Sequence, residues 1–170
     1  RNPAVRREIA GLADLVGALA KAERYRLLNE PDQAESICED ILACEPGHRE
    51  ARVMLLLALT DRFPQGDGPL VSRAQSLAAQ LDTTYERAYF GGLVAERRAR
   101  ALLNSGGPSR LLNAGDWLRD AMRQYERAEA EKPAGNDDAR LRWNACARTL
   151  NAHAGLLQTD DEPVLPVMLE

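Results

Sequence analysis

Aromatic residues are scarce in this chain, at 5% of 170 residues. That leaves little of the residue stock from which pleated sheets are favoured. Cysteine occurs three times, as Cys38, Cys44 and Cys146, with no Cys-x-x-Cys pair. The two nearest are six positions apart, about 600° of helical turn, so within one helix they point in opposed directions. This spacing excludes a shared metal and a disulfide in that helix, and the odd count fits a reducing, cytoplasmic compartment. Positive charge is not in excess: the formal net charge is -4. A broad nucleic-acid footprint needs clustered Lys and Arg, and Glu86 and Glu96 offset the cluster Arg97, Arg98, Arg100. No apolar run is long enough to span a bilayer. Lysine is nearly absent (Lys21 and Lys132), and the Ala- and Arg-rich usage points to a bacterial source with GC-rich DNA. The sequence starts at Arg1 and reads as a trimmed chain, with Leu169-Glu170 read as a vector remnant.

What is present suits one compact domain or a short solenoid. Hydrophobic residues make up 45% and charged residues 28%, a globular balance. Ala, Leu, Arg and Glu recur, all strong helix formers. Apolar residues return every three to four positions, and breakers divide that pattern. Helices are expected over about 3–29, 31–44, 49–62, 70–80, 84–103, 113–132 and 138–154. Pro and Gly residues place loops at about 63–69 and 104–112. Asp82-Thr83-Thr84 reads as a cap for the fifth helix. No segment has the period of a strand. The expected fold class is therefore all-α, about seven helices in antiparallel hairpins. Residues 1–155 form the helical domain and 156–170 an extended tail, because Pro163 and Pro166 prevent an eighth helix. The tail's Val164, Leu165, Val167, Met168 and Leu169 are expected to lie against protein. The open side of the seventh helix comes first, and the groove of a neighbouring molecule second.

Self-similarity is the most informative signal. Ala34 is followed by Cys38 and, twelve positions on, by Pro46; Ala121 is followed by Tyr125 and, twelve on, by Pro133. Each Pro leads into a Gly-containing turn and a new helix carrying Ala51 or Ala139. This resembles the tetratricopeptide repeat, whose helical hairpin has a small residue opening its second helix, a larger one four on and a Pro closing it. Ala18, Ala22 and Tyr25, and later Gly91, Gly92 and Ala95, fit the close-approach positions of the first helix. Ala74 opens the middle hairpin without a closing Pro. The intervals Ala34–Ala74 and Ala74–Ala121 are 40 and 47, against a family period of about 34, with the surplus in the two loops. The resemblance covers roughly residues 10 to 155 and implies a short right-handed superhelix with a concave groove lined by the first helix of each hairpin. Carried over by register, the groove receives Leu19, Glu23, Arg26, Val53, Leu57, Tyr89, Leu93 and Arg97. The seventh helix adds Arg140, Asn144 and Arg148, spaced by four on one face. Arg can grip a carboxylate bidentately and Asn can pair with a peptide backbone.

Catalytic and metal-site patterns find no support. His48 follows Pro46-Gly47 in a turn and His153 ends the last helix, neither with a ligand at metal spacing. Asp160, Asp161 and Glu162 lack a calcium-loop glycine and read as a solvated tail. Gly106-Gly107-Pro108 has neither the preceding strand nor the Lys of a phosphate loop. Trp117 and Trp143 read as core residues at hairpin contacts. The expectation is a non-enzymatic module without cofactor or metal, binding a protein or peptide and not nucleic acid, with no membrane span in this sequence. Self-association, or service as the targeting arm of a larger enzyme, are the alternatives. Ala34 and Ala121 are expected at tight helix contacts. Ala121→Leu should overpack and lower stability by about 1–3 kcal/mol in chemical denaturation; an unchanged midpoint would place the repeat in the wrong register.

Overall fold

A computed structural model describes residues 12–65 and 68–153. Among these residues the fold is all-α: seven helices and no strand. They are α1 Leu12–Leu27, α2 Pro31–Cys44, α3 Arg49–Asp61, α4 Gly68–Ala79, α5 Thr84–Ser105, α6 Pro108–Ala130 and α7 Asp138–Ala152. The beginning of the expected first helix and the whole tail from 156 lie outside the described residues. No helix among them is long and apolar enough to cross a membrane.

Local chemistry sets the ends. Asn29 takes φ 60 after α1, and the backbone N–H groups of Asn29 and Glu30 bond back to Arg26 and Tyr25. Asn tolerates this left-handed conformation better than most residues. Pro31 and Pro108 stand in the first turns of α2 and α6, where a missing N–H costs nothing and the fixed φ helps. The expected loop 104–112 is therefore far shorter. Only Gly106 and Gly107 separate α5 from α6, both at positive φ, so the chain reverses in two residues. Pro69 likewise falls inside the first turn of α4 instead of ending a loop. His48 is more than a surface histidine: its Nδ1 accepts from the Ala51 N–H at 3.2 Å and caps α3.

Each helix packs against the next, and α1 also meets α3 as α3 meets α5. The core runs through the whole array. Ala22, Ala34, Cys38, Leu55, Leu56, Leu59, Phe63 and Ala74 form one cluster, and Ala88, Ala95, Leu118, Ala121, Tyr125 and Cys146 form another. Trp117 packs on both and joins them. Ala34 and Ala121 are fully buried, as expected, and so are Cys38 and Tyr125. Leu93, expected in the groove, is instead buried in the core, because α5 is covered by neighbours on several sides.

The most extensive contact is between α5 and α6. Buried Ala88, Gly92, Ala95 and Ala99 face buried Ala114, Leu118, Ala121, Tyr125 and Ala128. Both rows step by four and three, so each keeps one face turned to its partner. The tightest point is Gly92. A Cβ there would lie 2.8 and 2.9 Å from Cε1 and Cδ1 of Tyr125. The ring has no room to retreat, being fully buried with its hydroxyl bonded to Glu96 at 2.6 Å. At Gly91 the nearest atoms, on Gln124, would be at an ordinary 3.7 Å. Gly92→Ala should therefore destabilise by about 1–3 kcal/mol through overpacking, while Gly91→Ala should be neutral or gain up to about 1 kcal/mol of helix propensity. Urea denaturation of the two variants measures the contrast; equal effects would mean that the helices can separate at this point.

Candidate functional site

The N-terminal turns of α3, α5 and α7 meet the end of α6 around a cleft of about 510 Å3. Its position follows from the start of α5. Thr83 caps that helix: its Oγ1 accepts from the Glu86 N–H at 3.1 Å, and the Glu86 carboxylate accepts from the Thr83 N–H at 3.3 Å. This is the reciprocal capping arrangement. The same carboxylate accepts from Arg49 Nε at 2.5 Å, tying the start of α3 to the start of α5. Burial acts to raise the Glu86 pKa, but the Arg49 and Thr83 bonds outweigh it and hold the carboxyl below its ordinary value.

With α5 so anchored, Tyr85 and Tyr89 stack one turn apart, centroids 5.7 Å and planes 16° apart. Phe90 meets Tyr89 edge-on at 5.2 Å, and Tyr125 lies 5.9 Å from it at a tilt. Four of the chain's few aromatics thus gather at one place. Tyr85, Tyr89 and Phe90 line the cleft together with Arg49, Glu131, Lys132, Pro133 and Asp138. Arg49 is matched by Glu86, and Lys132 by Asp137 at 2.7 Å. The carboxylates of Glu131 and Asp138 have no such cation among the described residues.

Behind the cleft sits a buried charge. Glu96 is 1% exposed; its Oε2 accepts from Tyr125 Oη and from Arg142 Nη1 at 3.2 Å, and Oε1 pairs with Arg100. Oε1 makes the ion pair but no well-directed hydrogen bond. Arg142 also donates from Nε to Tyr89 Oη at 2.9 Å. Burial disfavours its charge, yet the Tyr89 bond and the Glu96 charge prevail and raise its pKa. Burial raises the Tyr125 phenol, with Glu96 adding to it. A carboxylate taken out of water needs such partners.

The residues expected in the groove divide. Arg26 and Arg97 converge on Asp61 at the end of α3, Arg26 Nε donating at 2.6 Å and Arg97 Nη1 bonding both Asp61 and Thr60, the latter at 2.9 Å. They link α1, α3 and α5. Leu57 is half-buried against the core, Glu23 is exposed, and Tyr89 lies in the aromatic cleft. On α7, Arg140 turns toward α6, donating to Glu129 at 2.6 Å, with Asp137 3.9 Å away. Asn144 is half-buried and Arg148 exposed, and none of the three lines the cleft. The α7 residue that reaches α5 is Arg142, which sequence reasoning missed. So were Tyr85, Phe90 and Glu96; the only signal for Glu96 was its spacing to Arg100. Trp143 packs on the core and donates to Glu126 at 2.9 Å.

No family model matches the sequence, and comparison with curated proteins and with solved structures found no match.

Among the described residues no three His, Cys, Asp or Glu side chains gather as a metal site. The buried thiols of Cys38 and Cys146 are not poised as nucleophiles either. Burial pushes Cys38 up to about 12, and burial with the nearby Glu96 charge does the same for Cys146, whereas Cys44 is exposed. The thiolate is the reactive form. At pH 8 a thiol reagent should label the native protein once, at Cys44, and reach the other two only after denaturation. Fast labelling of Cys38 would show that α1 and α3 do not cover it.

Proposed function

We propose that this protein is a non-enzymatic interaction module resembling the tetratricopeptide repeat proteins, and that it holds a peptide segment of a partner in the aromatic cleft. That cleft is the observation that carries the reading. The repeat-like architecture is supported by the contacts of α1 with α3 and α3 with α5, in addition to those between successive helices. It is also supported by the buried Ala34 and Cys38, and Ala121 and Tyr125, at corresponding places in two hairpins. Non-disulfide cysteines fit a reducing compartment.

The chemistry of the cleft narrows the partner. Stacked tyrosines offer flat apolar faces to a proline or aliphatic side chain, with few rotatable bonds to order on binding. Glu131 and Asp138 at the rim offer acceptors to Lys or Arg. The net charge of -4 also favours encounter with a basic segment. The preferred ligand is thus a short stretch with a basic residue beside a proline or an apolar residue. The ion pairs that anchor α5 and α7 hold the site in shape before the ligand arrives.

Self-association is the second reading. Val16, Leu27 and Leu28 at α1, and Leu141 on α7, are exposed, and these are the outermost described helices. Light scattering over a range of concentrations distinguishes it by a rising mass.

Peptide display against the protein tests the first reading. Enriched peptides should carry the basic and apolar pair and bind Tyr85→Ala about tenfold more weakly or worse, the scale of an interface hot spot. Arg148→Ala should leave them unaffected. Loss of binding with Arg148→Ala or Asn144→Ala, and not with Tyr85→Ala, would move the site to the α7 row. Binding indifferent to all three would overturn a groove on this side.

A further inference from the structure

A second, larger cleft opens at the opposite ends of the helices, where α3 and α5 finish and α4 and α6 begin. Its volume is about 820 Å3. Phe63, Leu70, Ala101 and Leu102 supply apolar wall, and Arg62, Arg98 and Arg110 supply charge. Among the described residues, most arginines that bridge helices meet carboxylates, Arg52 being an exception that bonds the carbonyls of Gln80 and Pro46. Arg26 and Arg97 share Asp61, Arg62 and Arg73 share Glu35, Arg49 has Glu86, and Arg100 and Arg142 share Glu96.

The cleft breaks that habit. Arg98 is half-buried, yet it has neither an ion pair nor a hydrogen bond among the described residues. Arg110 reaches, among the described residues, only the Ser105 carbonyl, at 3.4 Å, long for a hydrogen bond. The one carboxylate among the described residues that line the cleft, Asp32, is taken by Arg62 Nε at 2.9 Å. Among the described residues, the Arg98 and Arg110 guanidinium groups therefore meet no carboxylate beside this apolar surface, in a chain whose net charge is negative. A half-buried cation without an acceptor is unfavourable, and a carboxylate delivered from outside would relieve it. The space is far more than a lone oxyanion fills and lies in the range for multi-atom ligands, about 300–1,000 Å3. Charge beside aliphatic wall calls for a ligand that carries both.

We propose that this cleft is a second docking site, for an acidic segment of a partner protein, with carboxylates on Arg98 and Arg110 and an adjoining apolar side chain on Phe63 and Leu102. It is independent of the aromatic cleft, whose rim is acidic and lies at the other end of the helices. A module with two such ends would grip a partner carrying basic and acidic stretches, or two partners at once.

The test is an NMR titration of the isotope-labelled full chain with three probes: a capped peptide alternating glutamate and leucine, its glutamine counterpart, and inorganic phosphate. The glutamate peptide should shift the amide signals of Leu70, Leu102 and Ser105, with affinity falling as salt rises. The glutamine peptide should shift none of them. Arg110→Gln should weaken binding about tenfold, the loss of one charge-assisted contact. Adding Arg98→Gln should abolish it. Arg110 is exposed, so its variant should melt as the parent does and keeps the test valid even if the double variant unfolds. Equal shifts with the glutamine peptide, or undiminished binding by Arg110→Gln, would overturn the proposal. So would phosphate moving these signals while the glutamate peptide does not, which would mark a site for free anions.

Discussion

The structure turns on one side chain, Tyr125. Its ring lies where Gly92 leaves no Cβ, and this lets α5 and α6 approach closely along their small-residue rows. Its hydroxyl reaches the buried Glu96, and Glu96 in turn takes up Arg142 and Arg100. The side-chain link from α7 to α5 thus depends on a carboxylate whose place is set by the α5–α6 contact. Removing any member would leave a buried polar group without its partner, at a cost of about 1–3 kcal/mol or more for a charge. Tight apolar packing and the buried charge are here one interaction, because the ring that fills the gap also carries the hydroxyl.

The same device recurs in weaker form across the array. Asp61 gathers Arg26 and Arg97, Glu35 gathers Arg62 and Arg73, and Glu86 gathers Arg49 and the Thr83 N–H. Each is a carboxylate on one helix, or at its end, bridging to others. Apart from the buried Glu86 these groups are partly exposed, and solvent screening leaves such exposed pairs worth little individually, about 0–1 kcal/mol. Their directional bonds nonetheless define how each helix is rotated against its neighbours, which apolar contacts between alanines do only loosely. A stack built on small residues can slide; charged bridges between helices remove that freedom.

This rotation places the two clefts. Tyr85 and Tyr89 line the cleft beside α7 on a different face of α5 from Glu86, which is turned to Arg49. Arg97 and Arg98 are adjacent in sequence but serve different surfaces: Arg97 joins Asp61 between α3 and α5, and Arg98 faces the cleft beside α4 and α6. A helix turns about 100° per residue, so neighbours in sequence diverge in space.

The helical class, the seven elements and the burial of Ala34 and Ala121 were legible in the sequence. They depend on local period, on Pro and Gly, and on small residues at fixed spacing, all of which act over one or two turns. The short α5–α6 turn was not legible, because a Gly-Gly-Pro stretch reads equally as a loop or as a two-residue reversal with Pro opening the next helix. Tyr89 was picked out by its repeat register, but Tyr85 and Phe90 were not, since no period marks which aromatics will converge. The row Arg140, Asn144 and Arg148 shares a helix face as its spacing says, yet which neighbour that face meets depends on how α7 is rotated. The pairing of Arg142 with Glu96, 46 positions apart, settles that rotation, and no local pattern encodes it. Spacing along a chain determines which side chains share a face; only the packing of distant segments decides what that face meets.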